Sequence, residues 1–323
     1  MSHFPLPLLW GLPLCVGSWA AAWVNDGGIT LGAATVQSAR PLRHAPIAQE
    51  ENLLAPPPLR VLSASLLSDE LLEGVLPWPR WAGVSYIIDW PSATNAYGKF
   101  PPHIRRTSGT AEDILAQQPD IVLVSSYNKA ITNFQLTSAQ VPVHIVRGTP
   151  RFKQLLQEWE KLGPLLGLEK EIGKRTKKAR RTISAIEEDA RTFDTQAQAL
   201  LLQGMFSYGG ESLQSDCLKM AGLKNVFVDK KWGTNPSVNV EHLLFLSPDI
   251  IFVAGDTKKL RKATFQDLPP GIPWSGVKAY QNKAVFVVPG PWMSSVSHHA
   301  LLACQAYLDA RVLLEKEETK TTP

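Results

Sequence analysis

One unit of sequence occurs twice, and it constrains the fold more than any other feature of the chain. Residues 112–125 read E-D-I-L-A-Q-Q-P-D-I-V-L-V-S, and residues 241–254 read E-H-L-L-F-L-S-P-D-I-I-F-V-A. Each copy opens on a glutamate, carries apolar residues at its third and fourth places, turns at Pro-Asp and ends in an apolar run. Two residues upstream stand Thr110 and Asn239. Both are good N-caps, because a short side-chain oxygen can accept from the amides that a helix start leaves free. The pattern predicts a short capped helix, a turn and a core strand, once in each half of the chain. A glutamate in the first turn of a helix is favoured by the macrodipole, by ~0.3–1 kcal/mol. That accounts for either glutamate alone, but less well for the recurrence of the unit with its glutamate in register. Glu112 and Glu241 therefore also read as a matched pair of charged points, suited to docking on a two-subunit partner, and the two roles are compatible.

Around this unit the chain alternates strand-like and helix-like stretches, as parallel α/β structure requires. In the first half, 59–64, 84–88, 120–124 and 141–146 read as strands, with a capped helix starting at Ser68. In the second half, 199–203, 250–254 and 284–288 read as strands, with helices over 212–221 and 299–314. Between them, 151–195 keeps a helical period through Phe152, Leu155, Leu156, Trp159 and Leu162, breaks at Gly163-Pro164 and becomes heavily charged. The basic cluster at 170–181 reads as the solvated face of a long helix. The expected architecture is two parallel-sheet α/β lobes, 59–150 and 196–315, joined by a connecting helix over 151–195. A ligand cleft lies between them, and 316–323 forms a tail.

The beginning of the chain has another character. Residues 4–24 carry no charged side chain, and the apolar run ends in Ser18-Trp19-Ala20-Ala21-Ala22. This predicts a signal peptide over 1–22, cleaved at Ala20 or Ala22, followed by a poorly ordered leader over 23–58. Cys15 follows Leu12-Pro13-Leu14, a poor lipoprotein box, so a lipid anchor is not expected. An exported protein works in a compartment where disulfides persist. The 323 residues, 44% hydrophobic and 19% charged, suit a globular chain of two domains. The net charge of +4 is too mild for a nucleic-acid binder. No G-x-S-x-G elbow, glycine-rich phosphate loop or H-E-x-x-H is present, so the chain does not read as an enzyme. The seven histidines are scattered, which disfavours a bare zinc or manganese carrier.

Several stretches, in order, resemble the substrate-binding proteins of ABC importers for iron-siderophores, haem and cobalamin. They are R60-V-L-S-A-S, G83-V-S-Y-I-I-D-W-P, A111-E-D-I-L-A-Q-Q-P-D-I-V-L-V, V240-E-H-L-L-F-L-S-P-D-I-I and, most like the cobalamin branch, W292-M-S-S-V-S-H-H-A-L-L-A. The resemblance implies a monomeric periplasmic protein with no intrinsic cofactor. It would hold a metal chelate (iron-siderophore, haem or cobalamin) between its lobes and dock Glu112 and Glu241 on arginines of a permease dimer. The alternatives are a bare transition-metal-ion carrier and a permease-independent sensor of the same fold. In the cobalamin branch a disulfide joins two helices at places matching Ala221 and Leu308. Here Cys217 and Cys304 each stand four residues earlier, so a bridge and two buried thiols both remain open.

Ligands of α/β lobes gather beyond the carboxyl ends of the strands. The loops expected there carry Trp90, Tyr127, Tyr208, Trp232 and Trp292, with His299 at the last helix start. Flat aromatic side chains suit a corrin, a porphyrin or an aromatic siderophore. His103, Arg105 and Arg106 could pair with an anionic chelate, or simply belong to an exposed loop. Neighbouring helical residues point about 100° apart, so His298 and His299 are poorly placed to share one metal ion.

Overall fold

A run of apolar residues without polar alternation is satisfied only in a sheet covered on both faces, and such runs form the core strands here. The computed structural model describes residues 56–126, 128, 130–193 and 196–321, with side chains through Glu317. The expected signal peptide, all but the last three residues of the leader, and Tyr127 lie outside the described residues.

The first lobe comprises β1 (Val61–Ser63), α1 (Leu66–Leu72), β2 (Trp81–Ser85), β3 (Arg105–Thr107), α2 (Ala111–Leu115), β4 (Ile121–Ser125), α3 (Ala130–Ser138) and β5 (Val143–Val146). Its sheet runs β3-β2-β1-β4-β5, and every pair is parallel. Val61 of β1 lies between Trp81 and Ile121. Three local expectations need correction. The cap of α1 is Ser65, whose Oγ accepts from Ser68 N at 3.3 Å, so Ser68 lies inside the helix. Strand β2 ends at Ser85, and the apolar pair Ile87-Ile88 enters a 3-10 turn that buries Ile88. Arg105 and Arg106, expected in a loop, belong to β3, an edge strand whose charges obscure its strand character.

The segment 151–195 contains two helices rather than one, α4 (Phe152–Leu166) and α5 (Glu169–Ala190), packed against each other. Pro164 does not end α4, because Leu162 and Leu166 are buried and hold the last turn on the core. The stop comes at Gly167, in the left-handed region at φ 63, where the missing Cβ removes the penalty. A Cβ on Gly163 would stand 3.2 Å from the Cα of Glu169, so glycine permits the close approach of α5.

The second lobe comprises β6 (Gln198–Leu202), α6 (Leu213–Met220), β7 (Lys224–Asn225), α7 (Val240–Leu246), β8 (Ile250–Gly255), β9 (Arg261–Lys262), α8 (Lys278–Gln281), β10 (Val285–Pro289), α9 (Gly290–Ser294) and α10 (Leu301–Thr321). Its sheet runs β7-β6-β8-β10-β9, parallel except for β9 against β10. In each sheet the order reverses beside the first strand, between β1 and β4 and between β6 and β8. Crevices at the carboxyl ends of strands at such switch points are where open α/β sheets take ligands.

Helices α6 and α10 pack side by side and are joined by a disulfide between the buried Cys217 and Cys304, with Cα atoms 4.6 Å apart. The bridge closes a loop with a sequence separation of 87. In the chain-entropy account, a loop of that length removes ~4–5 kcal/mol from the denatured state, an upper figure. The variant Cys217→Ser/Cys304→Ser should lose stability approaching that amount in non-reducing urea denaturation. A loss below ~1 kcal/mol would show that the entropy account fails for this bridge.

Candidate functional site

The carboxyl ends of β1, β2 and β3 open on a cavity of about 440 Å³, lined among others by Ala64, Ser85, Tyr86, Thr107, Thr110 and Asn128. Each wall is fixed by hydrogen bonds from behind. Ser85 donates to Asp69 Oδ2 through its amide at 3.2 Å and its hydroxyl at 2.5 Å. The 107–110 turn is held by Asp113 Oδ2, which accepts from Thr107 Oγ1 at 2.8 Å and Ser108 N at 2.7 Å. Asn128 Oδ1 accepts from Ser125 N at 2.7 Å, while its Nδ2 donates to the carbonyl of Ala64 at 3.1 Å. That last bond ties the ends of β4 and β1 together across the switch point.

Among the described residues, no side chain lining this cavity is acidic or basic. Arg106, one residue before the lining Thr107, is already engaged. Its Nε and Nη2 both donate at 2.9 Å to Asp89, and its Nη1 donates to the carbonyls of Pro101 and Ile104. The hydrogen bond from Arg106 holds the Asp89 carboxyl below its ordinary range. The described wall therefore offers hydroxyls, amides and an aromatic edge rather than charge. A wider groove of about 860 Å³, lined mainly by residues of α4, α5 and α6, carries Arg151, Lys153, Arg180 and Lys219 but no strand end.

Of the aromatic residues singled out in the sequence, Trp90, Tyr208, Trp232 and Trp292 are not in the described wall of this cavity. Trp90 follows β2, is 50% exposed and meets Tyr86 edge-on at 5.4 Å. Tyr208 lies in the loop after β6, where its hydroxyl donates to Gln203 Oε1 and burial pushes its pKa up to about 12, so it acts as a neutral donor. Trp232 stands edge-on to Phe227 and His242, and Trp292 in α9 packs part-buried on the core. Sequence reasoning missed Tyr86 and the Thr107-Ser108-Gly109-Thr110 wall. The run of small hydroxyl residues was the available signal, hidden while Arg105-Arg106 read as loop.

The two lobes touch close to these loops. Asn95 Nδ2 donates at 2.8 Å to the carbonyl of Pro291, one residue before Trp292. The fully buried Glu70 accepts from Thr94 Oγ1 and Asn95 N of its own lobe, both at 2.9 Å. Its other oxygen accepts from Ser297 Oγ at 2.5 Å and Ser295 Oγ at 3.3 Å, both of the second lobe. His298 stacks on Trp159 with ring centroids 4.5 Å apart, and burial, reinforced by His299, pushes its pKa down to about 2. Burial also lowers His299, opposed by Glu70, so that residue belongs to the seam between the lobes. Among the described residues no group of three His, Cys, Asp or Glu side chains could hold a metal ion, and no helix is long and apolar enough to cross a membrane.

Comparison with known proteins bears on the whole arrangement. A family model described as periplasmic binding protein matches residues 61–291. The vitamin B12-binding protein of Photorhabdus laumondii is 25% identical over 217 residues, covering 63% of this chain and 74% of its own. Among solved structures, the periplasmic vitamin B12-binding protein of Vibrio cholerae superposes with a TM-score of 0.65 at 16% identity, covering 80% of this chain and 99% of its own. The periplasmic haem-binding protein of the same organism gives 0.63 at 16% identity, covering 79% and 98%.

Asp69 supplies a test of the cavity's frame. Burial holds its carboxyl at about 8, against an ordinary 3.8, despite hydrogen bonds from Ser63 and Ser85 that pull it down. Between those values the folded chain keeps a proton that the unfolded chain has released. Stability therefore falls as pH rises through that window and levels off above it, by up to ~1.4 kcal/mol per pH unit. The urea midpoint should drop from pH 5 to pH 8, and Asp69→Asn should flatten much of that slope. An equally steep slope in the variant would assign the effect to other groups.

Proposed function

The chain belongs to the periplasmic binding protein family, and from that premise we propose that it captures a metal chelate between its lobes and delivers it to the permease of an ABC importer. The observation that carries this reading is the position of the loops. Trp90, beyond the carboxyl edge of the first sheet, and Trp292, beyond that of the second, lie close in sequence to Asn95 and Pro291, whose contact joins the lobes. The cavity, uncharged among its described residues, opens on the first of those edges. A cargo with a flat apolar body and a neutral rim rich in amides or hydroxyls matches those walls. Carboxylates would find no cation among the described residues of the cavity wall, and the guanidinium of Arg106 is occupied by Asp89. Among cobalamin, haem and iron-siderophores, this chemistry favours the cobalamin kind.

Titration of the mature protein with cyanocobalamin, haemin and a ferric hydroxamate, read by tryptophan fluorescence, tests the reading. Cyanocobalamin should quench at the lowest concentration. Trp90→Ala should weaken its binding by ~1–3 kcal/mol, as for an aromatic anchor. Preference for haemin would overturn the neutral-rim assignment, and no binding of any of the three would overturn the chelate.

Delivery falls to Glu112 and Glu241. Both are exposed in the first turns of α2 and α7, whose caps Thr110 and Asn239 accept from Asp113 N at 3.3 Å and His242 N at 2.7 Å. Reversing both charges should cost each helix at most ~1 kcal/mol. Against a cationic surface, however, it creates like-charge contacts worth several kcal/mol. Glu112→Lys/Glu241→Lys should bind cargo normally yet fail to stimulate the importer's ATPase. Normal stimulation would reduce the repeated unit to a capping device.

A further inference from the structure

We infer that Phe245 is an apolar anchor for the permease, set one helical turn from Glu241 on the exposed face of α7; this rests on the docking reading above. Phe245 is 83% exposed and Leu244 46%, while Leu243, on the other side of the helix, is buried. Residues four apart on a helix lie about 40° apart around its axis, with Cβ atoms ~5–6 Å from each other. Glu241 and Phe245 thus form one patch, with Leu244 at its flank. Glu241 has no ion-pair or hydrogen-bond partner from another side chain among the described residues. A surface that covers this patch must bring a cation and, beside it, an apolar recess.

The first lobe lacks the second half of this device. In the repeated unit Ala116 occupies the place of Phe245, and the half-buried Leu115 that of Leu244. The two lobes therefore present the same carboxylate with unlike neighbours, a methyl group on one and an aromatic ring on the other. Fully desolvated aromatic side chains beside a charged contact dominate interface energies, whereas exposed charges mainly steer the encounter. The second lobe accordingly supplies most of the hold on the permease, and the first lobe supplies its orientation.

The test uses the full chain, loaded with cyanocobalamin, and the cognate permease–ATPase complex in proteoliposomes. Phe245→Ser should raise the concentration for half-maximal ATPase stimulation by roughly tenfold or more, as a hot-spot loss does. Cargo affinity and melting temperature should stay at wild-type values. Leu59→Ser removes another exposed side chain, 72% exposed just ahead of β1, and should change nothing. If Phe245→Ser stimulates like wild type while Glu112→Lys/Glu241→Lys does not, the glutamate dock stands and the anchor falls. If Phe245→Ser only abolishes self-association of the free protein, the patch belongs to a second copy and the anchor also falls. If neither variant alters stimulation, the docking reading falls and takes the anchor with it.

Discussion

The carboxyl group of Glu70 lies out of water at the junction of the lobes, and its donors come from both of them. Thr94 and Asn95 reach it from the loop beyond β2, and Ser295 and Ser297 from the loop beyond α9, more than 220 residues along the chain. Taking such a group from water costs several kcal/mol unless its partners are all in place. Spacing between the lobes is thereby fixed at hydrogen-bond tolerance. The loops that satisfy Glu70 also lead to Trp90 and Trp292, so the same constraint sets the distance between the aromatic residues proposed to hold the cargo.

Helix α1 carries this junction because it is buried on nearly every side. Leu67, Leu71 and Leu72 pack into the core, while Asp69 and Glu70, adjacent in sequence, are both fully buried. Their directions differ. Asp69 turns toward Ser85 and supports the cavity from within the first lobe, and Glu70 turns toward the second lobe. One short helix thus couples the frame of the proposed binding site to the seam. On the far side of the seam His298, kept neutral by burial, stacks on Trp159 of α4, so the joining helices bear on the same region. The Cys217–Cys304 bridge lies behind it, between α6 and α10.

The surfaces proposed for ligand and partner follow different physical rules. The cavity at the first sheet is walled by hydroxyls and amides whose positions are held by buried carboxyl and amide groups. The exposed helices α2 and α7 instead keep carboxylates in water, and in the proposed docking it is desolvation by the partner that would give them energetic weight. Apolar exposure at Phe245 has no counterpart at Ala116, so the near-symmetry of the repeated unit is broken at the surface while its core is retained.

Much of this was legible in the chain itself. The caps at Thr110 and Asn239 act within three residues, and the apolar runs of β1, β4, β6, β8 and β10 need only their own composition to become core strands. The paired units therefore announced two α/β lobes. What remained hidden depends on contacts distant in sequence. Strand β3 forms from Arg-Arg-Thr because β2 offers a free edge, and α4 runs past Pro164 because its last leucines reach the core. The partners of Glu70, the commitment of Arg106 to Asp89 and the hydroxyl-lined cavity were decided only when loops from separate strands met. Local sequence specifies hydrogen bonds that close within a turn or two, whereas a buried carboxyl group takes its partners from whichever segments the tertiary fold brings against it.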